Sequence, residues 1–232
     1  MTYNIEWRGN NNTNKSSRSG NIPIAIVNHI TGGSASSADS WFRSSGNKVS
    51  SAHFMVTKSG EIKQYVKIED KAWANGLTSG LENATSELVK EKYKDSHNPN
   101  SYSVSIEHEG IDGTLTDAQI TASVWLHRYI RDYIEEKYGY KIPFNRKHVI
   151  GHFEIDKKRK AYCPGKNFPW ERLMEELSNK DKLKINFLGK EIELEDFVNI
   201  DDKNYVSVRE MYEKIGFLVD WSKEKGIEIK LK

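Results

Sequence analysis

The stretch Ile22-Pro-Ile-Ala-Ile-Val-Asn-His29 predicts the centre of the fold. It is short, apolar and rich in β-branched residues, and glycines stand on either side of it, at Gly20 and at Gly32-Gly33. A run of this kind is typical of a strand that is buried on both faces. The stretch therefore predicts the core strand of a sheet, with His29 at its carboxyl end.

Further elements are predicted around this strand. Residues 51–57 and 61–66 flank the turn Ser59-Gly60, which predicts a β-hairpin. The capping box Thr116-Asp-Ala-Gln119 marks the start of a long helix that Gly139 ends. The remaining predicted elements are strands at 103–109 and 148–151 and helices at 117–137 and 170–178. Strands that alternate with helices predict an α/β domain, here a central mixed β-sheet flanked by helices.

The character of the sequence changes near residue 180. After Asn179-Lys-Asp-Lys182, short alternating runs surround one short predicted helix at residues 207–215. We therefore predict a larger α/β domain over residues 1–180 and a small α+β domain over residues 181–232. A unit this small without disulfides is marginally stable alone, so the second domain is expected to bind another surface or to form a homodimer.

Composition excludes several classes of protein. The formal net charge of the 232 residues is +2, which is too balanced to indicate a nucleic-acid partner. No apolar run reaches the length of a membrane span, so membrane insertion is not expected. The N-terminal residues lack the pattern of a signal peptide, and this predicts a cytoplasmic location until another agent releases the protein.

Three residues have the chemistry of a catalytic zinc site, which needs three protein ligands and one open position. His29 and His152 each stand at the end of a predicted strand, and Cys163, the single cysteine of the chain, follows in a loop closed by Pro164-Gly165. Two neutral imidazoles and one thiolate would leave enough charge on Zn²⁺ to lower the pKa of water to about 7. The alternative is that His29 and Cys163 are ordinary packed residues.

Five motifs occur along the chain in a recognisable order. They are Val27-Asn-His29-Ile-Thr31, Ser51-Ala-His53-Phe54, Ala72-Trp73 with Gly76, Ser105-Ile-Glu107, and Gly151-His152-Phe-Glu154 with Cys163-Pro164-Gly165. Together, over about residues 20–175, they resemble the zinc-dependent N-acetylmuramoyl-L-alanine amidases. That family includes amidase-type phage lysozymes, cell-wall recycling amidases and peptidoglycan recognition proteins, and the resemblance implies their fold.

The resemblance implies a reaction and a set of residues. Bacterial peptidoglycan would be cleaved at the amide between the lactyl group of N-acetylmuramic acid and the L-alanine of the stem peptide, with Zn²⁺ as cofactor. Glu107 would be the assisting acid and base, because Ala52 stands where other members have a tyrosine. Lys160 would stabilise the oxyanion, and Trp73 and Asn75 would contact the substrate. The alternatives are a solvated strand glutamate and a solvated loop lysine.

The sequence departs from the family pattern in two motifs, one beside Lys160 and one that contains Trp73 and Asn75. The position two before the third ligand, often Lys or Thr, is Ala161, so the oxyanion role passes to the adjacent Lys160. The motif that often reads Ala-Trp-His-Ala-Gly is Ala72-Trp-Ala-Asn-Gly76 here. His53 is expected to support a ligand from behind or to pack in the core rather than to bind the metal, and His148 is ranked below His152 as a ligand.

The second domain has a resemblance of its own. Leu188-Gly-Lys190-Glu-Ile192, Tyr205-Val-Ser-Val-Arg209 and Val219-Asp-Trp221 resemble the stalk-type repeat named after the copper amine oxidase N-terminal domain. Such repeats are frequent in Gram-positive wall proteins, which implies wall binding or pairing; a simple spacer is the alternative. Copper is not implied, because residues 181–232 contain no His or Cys.

The expected function is that of a phage or prophage endolysin, held in the cytoplasm until a holin opens the membrane and then acting on the host cell wall. A cytoplasmic amidase that recycles soluble muropeptides is one alternative. A non-catalytic peptidoglycan-binding protein is the other, although such proteins commonly lose a zinc ligand and all three candidates are present here.

Overall fold

A computed structural model describes residues 3–94, 98–178, 183–194, 197–200, 203–222 and 226–231. The chain forms two compact units, residues 1–178 and residues 179–232. The predicted junction, residues 179–182, lies outside the described residues.

Six strands of the first unit form one mixed sheet in the order β1-β5-β4-β7-β3-β8. Its strands are β1 (Ile5–Trp7), β3 (Ala25–Ile30), β4 (Phe54–Val56), β5 (Ile62–Gln64), β7 (Ser103–His108) and β8 (Val149–Gly151). β3 lies between β7 and β8 and is parallel to both, and β7 is parallel to β4. Only β4 and β5 pair antiparallel, as the predicted hairpin. Two short strands, β2 (Lys15–Ser17) and β6 (Asp70–Ala72), pair separately.

Helices cover the sheet. In the first unit they are α1 (Ala35–Phe42), α2 (Glu87–Lys94), α3 (Pro99–Tyr102), α4 (Asp117–Tyr138), α5 (His152–Ile155) and α6 (Trp170–Ser178), with a 3-10 turn at Leu81–Asn83. The Thr116 capping box and the left-handed Gly139 bound α4 as predicted. The apolar stripe of α4, with Leu126 and Ile130, packs on one face of the sheet against Ile26 and Ile106.

The opposite face of the sheet carries a different set of residues. Val27 and Met55 pack there against the 3-10 turn, α1 and α2. Alternation along β7 directs Val104, Ile106 and His108 toward α4 and directs Ser103, Ser105 and Glu107 to this second face. Both serines are buried, so this polar row lies inside the protein and is not a solvated surface.

In its described residues, the second unit contains three antiparallel strand pairs and one helix. Its elements are β9 (Leu183–Phe187), β10 (Lys190–Leu194), β11 (Phe197–Ile200), β12 (Lys203–Val206), α7 (Val208–Lys214), β13 (Phe217–Ser222) and β14 (Gly226–Leu231). Consecutive strands pair antiparallel, and Ser207 caps α7. Across the described residues, every helix is too short or too polar to traverse a bilayer.

The predicted fold class, a mixed central sheet flanked by helices, is confirmed. The short strands β1, β2 and β6 and the hairpin of β11 and β12 were not predicted. Runs of three or four residues carry too little periodicity to distinguish a strand from a loop. The predicted 22–29 strand begins later, at Ala25, because Pro23 lacks the N–H that a central strand needs.

Candidate active site

The carboxyl ends of three neighbouring parallel strands bring the candidate residues together. His29 lies near the end of β3, Glu107 is its register partner on β7, and His152 follows β8 directly. Parallel strands end at the same edge of a sheet, and ligand sites in α/β proteins form there. Strand order therefore places two imidazoles and a carboxylate from distant parts of the sequence side by side.

Backbone hydrogen bonds return Cys163 to this edge. The Phe153 N–H donates to the Cys163 carbonyl at 2.9 Å, and the Cys163 N–H donates to the Lys160 carbonyl at 3.0 Å. Gly151 permits the close approach, since a Cβ there would lie 2.9 Å from Pro164 Cδ and 2.7 Å from the Phe153 ring. The loop between His152 and Cys163 thus brings Cys163 back beside the two histidines.

His29, His152 and Cys163 form a compact cluster of donor atoms. One ligand atom from each lies within 4.8 Å of the others. Cys163 Sγ lies 3.7 Å from His29 Nδ1, and the two imidazole rings meet edge to face at a centroid distance of 4.5 Å. Within the described residues, His152 Nε2 is buried and has no hydrogen-bond partner. A buried polar atom without a partner is costly, and a cation at the cluster would satisfy it.

The electrostatics of the cluster also suit a cation. Burial lowers the pKa of His29 to about 4 and lowers the pKa of His152 far below its usual range, so both imidazoles are neutral and able to act as ligands. Burial, with the Glu107 carboxylate adding to it, raises the pKa of the Cys163 thiol to about 12. A coordinated divalent cation would reverse that last preference, because it deprotonates a thiol ligand. The residues present therefore fit a zinc ion.

Glu107 lies beside the cluster with its carboxylate largely enclosed. Burial raises the pKa of Glu107 to about 7, and the Lys160 ammonium opposes that rise. Glu107 Oε2 is buried without a partner in the described part of the chain. The Glu107 carboxylate therefore lies in the same cavity as the cluster, with one oxygen that no described residue contacts by a hydrogen bond.

Two adjoining cavities open onto the cluster. The strand-end cavity, about 390 Å³, contains His29, Glu107 and Cys163, and the basic cavity, about 450 Å³, contains Lys71 and Arg159. Residues that line both cavities are Ser50, Trp73, Ala74, His152 and Lys160. Trp73 and Lys160, both predicted site residues, thus lie at the junction beside the cluster.

Asn75 occupies a different place from the predicted one. Its side chain is 1% exposed and lines neither cavity. Asn75 Oδ1 lies 2.7 Å from His29 Nε2, and Asn75 Nδ2 donates to Ser103 Oγ at 2.7 Å. The amide of Asn75 is therefore bonded to protein groups on both sides, and its side chain lies behind His29.

The other histidines among the described residues lie outside the cluster. His53 is buried, and its Nδ1 accepts a hydrogen bond from the Ser105 N–H at 3.0 Å, so it is a core residue as expected. His148 Nδ1 lies 3.0 Å from Asn145 Oδ1. His108 is packed beneath the site, within hydrogen-bond distance of the His29 carbonyl and the Ser123 hydroxyl.

Several residues that line the two cavities were not predicted from the sequence. Trp41, on α1, lines the strand-end cavity, and its indole N–H donates to Ser50 Oγ at 2.9 Å. Lys71 and Arg159 supply positive charge to the basic cavity. For Trp41 and Lys71 no sequence motif gave a signal, whereas the run Lys157-Lys-Arg-Lys160 had already drawn attention to the loop that carries Arg159.

Comparison with known proteins gives the class. A family profile described as N-acetylmuramoyl-L-alanine amidase matches residues 19–166. That match spans more than half of the chain and contains all three residues of the donor cluster, and this chain belongs to that family.

Individual relatives are more distant. The 1,6-anhydro-N-acetylmuramyl-L-alanine amidase AmpD of Haemophilus influenzae is 30% identical over 125 residues, which are 53% of this chain and 56% of that protein. This chain thus spans about half the length of the curated relatives it matches. A selenomethionine derivative of AmpD has a TM-score of 0.55 at 21% identity, covering 77% of this chain and all of that one. A mutant endolysin from Bacillus subtilis has a TM-score of 0.51 at 19% identity, covering 76% of this chain and all of that one. At these identities the structural likeness concerns the fold.

Proposed function

We propose that this chain is a zinc-dependent N-acetylmuramoyl-L-alanine amidase. Its reaction would hydrolyse the amide between the lactyl group of N-acetylmuramic acid and the L-alanine of a peptidoglycan stem peptide. One observation supports the proposal most directly. The donor atoms of His29, His152 and Cys163 lie close together in the strand-end cavity, which Glu107 also lines. Family membership supports the same reaction.

His29, His152 and Cys163 would hold the metal. Bound zinc supplies Lewis-acid chemistry, in which it polarises a carbonyl oxygen and lowers the pKa of water. Three protein ligands would leave one coordination position for water or substrate, as a catalytic zinc site requires. Retention of the complete donor set argues against a non-catalytic peptidoglycan-binding protein.

Glu107 would move the protons. Its unpartnered Oε2 is free to accept a proton from the attacking water and then to deliver it to the alanine nitrogen as the amide breaks. Adjacent strand positions fix Glu107 beside His29, so the same carboxylate serves both steps without rearrangement of the backbone.

Lys160 and the two cavities would orient the substrate. The Lys160 side chain borders the junction between the cavities, where its ammonium can stabilise the negative charge that develops on the carbonyl oxygen. Trp73 offers its ring at the same junction, with its indole N–H held by Ser16 Oγ at 3.0 Å. These contacts would hold the scissile amide above the donor cluster.

The bond that is cleaved tests the reaction. Digestion of purified peptidoglycan should release new N-terminal alanine, because an activated water would attack the amide carbonyl. No new reducing sugar ends should appear, because the proposed site includes no carboxylate pair for glycoside hydrolysis. Dinitrophenylation of free amines, beside a reducing-sugar assay on the same digest, measures both products. Reducing ends that appear at the rate of lysis would refute the amidase assignment.

Two functions with different substrates are candidates, and one observation supports each. The endolysin function, with release through a holin to a Gram-positive wall, is supported by the extra unit after residue 178. The recycling of soluble muropeptides is supported by the name of the AmpD relatives. Turnover rates on intact sacculi and on a soluble anhydromuropeptide distinguish them: an endolysin should prefer the sacculi, and a recycling enzyme should prefer the soluble substrate.

The role of residues 181–232 also stays a prediction. Wall anchoring, as the stalk-type resemblance implies, would add a second attachment and raise the effective concentration of the catalytic unit at the wall. Homodimerisation through this unit is the competing prediction. Cosedimentation of the full chain with purified walls tests the first, and sedimentation velocity of the free protein tests the second.

A further inference from the structure

Asn75 has a precise set of hydrogen bonds around a candidate ligand. Its backbone N–H donates to Asn100 Oδ1 at 2.5 Å, which fixes the main chain of this wall of the site. Its side-chain amide lies between His29 Nε2 and Ser103 Oγ, at 2.7 Å from each. The side chain is thus held from both sides and lines neither the strand-end cavity nor the basic cavity.

The direction of these hydrogen bonds follows from Ser103. The Ser103 hydroxyl has one proton, and it donates that proton to the Pro99 carbonyl at 2.6 Å. Ser103 Oγ must therefore accept from Asn75, which orients the NH₂ group of the amide toward Ser103 and Oδ1 toward His29. An amide oxygen only accepts hydrogen bonds, so His29 must carry its proton on Nε2.

The consequence falls on the other ring nitrogen. In a neutral imidazole with its proton on Nε2, Nδ1 has a free lone pair. His29 Nδ1 is the nitrogen that faces Cys163 Sγ at 3.7 Å. Only an unprotonated nitrogen binds a metal, and an acceptor on the opposite nitrogen fixes both the tautomer and the orientation of the ring.

We propose that Asn75 is a positioning residue that locks His29 in the Nε2–H tautomer and so prepares Nδ1 as a zinc ligand, with the chain from Pro99 through Ser103 to Asn75 setting the direction. The zinc part of this proposal rests on the proposed function. Asn75 stands where the related motif often has alanine, a residue without a side-chain acceptor.

The tautomer can be measured without metal. Long-range ¹H–¹⁵N correlation spectra of the metal-free full chain, with the His29 ring assigned from the His29→Gln spectrum, distinguish the two neutral tautomers. Wild type and Asn75→Asp should show the Nε2–H tautomer, because a carboxylate also accepts from Nε2. Asn75→Leu, similar in size but without an acceptor, should show a mixture. An unchanged Nε2–H tautomer in Asn75→Leu would overturn the proposal.

Zinc affinity supplies the second readout. Competition with a chromogenic chelator should give Asn75→Leu a zinc dissociation constant about 10 to 100 times that of wild type, the usual effect of losing such a partner, while Asn75→Asp stays within a few-fold. Gln119→Met is the matched control: Gln119 is another fully buried amide, but it caps α4 and donates to the Glu109 carbonyl. Its zinc affinity should equal that of wild type.

The outcomes separate this proposal from the proposed function. Equal zinc affinities in wild type and Asn75→Leu would overturn the role of Asn75 and leave the amidase proposal standing. A wild-type chain that binds no zinc would overturn the amidase proposal, and with it the zinc part of this one, while the tautomer spectra still decide whether Asn75 locks His29. If Asn75→Leu fails to fold, Asn75→Ala takes its place in both measurements, with the same expected direction.

Discussion

The two faces of the central sheet differ in what their buried residues do. The face toward α4 is lined largely by apolar side chains such as Ile26, Phe54 and Ile106. The opposite face, near the carboxyl ends of the same strands, carries His29, Ser105 and Glu107 at positions that alternate with those apolar ones. One set of strands thus supplies a hydrophobic core on one side and a reactive cluster on the other.

This difference separates stability from chemistry. Burial of apolar area stabilises the fold without requiring particular partners. A buried polar atom without a partner costs stability, and Glu107 Oε2 and His152 Nε2 are such atoms within the described residues. The apolar face therefore offsets the cost of keeping reactive groups free on the polar face, and substitutions on the two faces should change different properties.

The largest effect is expected for Glu107→Gln on the polar face. The amide keeps the size of the side chain but cannot accept and return a proton, so kcat should fall by about 10² to 10⁴, with zinc retained. Steady-state rates on a soluble muropeptide, with metal analysis of the same sample, measure this. Lys160→Ala should cost less, and the exposed Glu61→Gln should cost nothing. Loss of zinc together with activity would recast Glu107 as a structural residue.

The converse is expected for Ile106→Ala, one position before Glu107 on β7 but on the apolar face. Removing a fully buried side chain should lower the free energy of unfolding by about 2 to 5 kcal/mol. Urea denaturation followed by circular dichroism measures it. Zinc content and kcat of the folded protein should stay near wild type. A large fall in kcat at low temperature, where the variant is folded, would show that the two faces are not separable.

The smallest effect is expected for Ser105→Ala, which removes a hydroxyl within hydrogen-bond distance of the His53 ring and of the His53 N–H. The substitution would leave the buried His53 N–H without its acceptor, and an unsatisfied buried donor costs about 1 to 3 kcal/mol. The free energy of unfolding should fall by the lower part of that range, because His53 Nδ1 still accepts from the Ser105 backbone N–H. Thermal unfolding beside the urea series measures this change. A strong loss of zinc would mean that Ser105 supports the metal cluster and not only the core.

Sequence reasoning reached the elements with strong local signals. The capping box and Gly139 bound α4 correctly, and Trp170–Ser178 was predicted without error, because helix caps and amphipathic periodicity are local properties. The cluster of His29, His152 and Cys163 was also predicted, because imidazole and thiolate are the ligands a catalytic zinc site uses and because the surrounding motifs resemble a zinc-dependent family.

The rest depended on contacts that sequence does not encode locally. Asn75 was predicted to contact the substrate because it belongs to the same motif as Trp73, and in the structure its amide donates to Ser103, a partner 28 residues away. Trp41 lines the strand-end cavity only because of the way α1 packs. These positions depend on tertiary structure, which a motif can nominate but cannot orient.

The most direct test of the proposed metal site is the zinc content of the purified full chain and of three variants. Elemental analysis measures the zinc, and lytic activity is measured on the same samples. The wild type should contain about one Zn²⁺ per chain, and His152→Ala and Cys163→Ser should lose both zinc and activity. His148→Ala, a histidine four residues from His152 but outside the cluster, should retain both. Full zinc and full activity in Cys163→Ser would contradict the central claim that these three residues form the catalytic metal site.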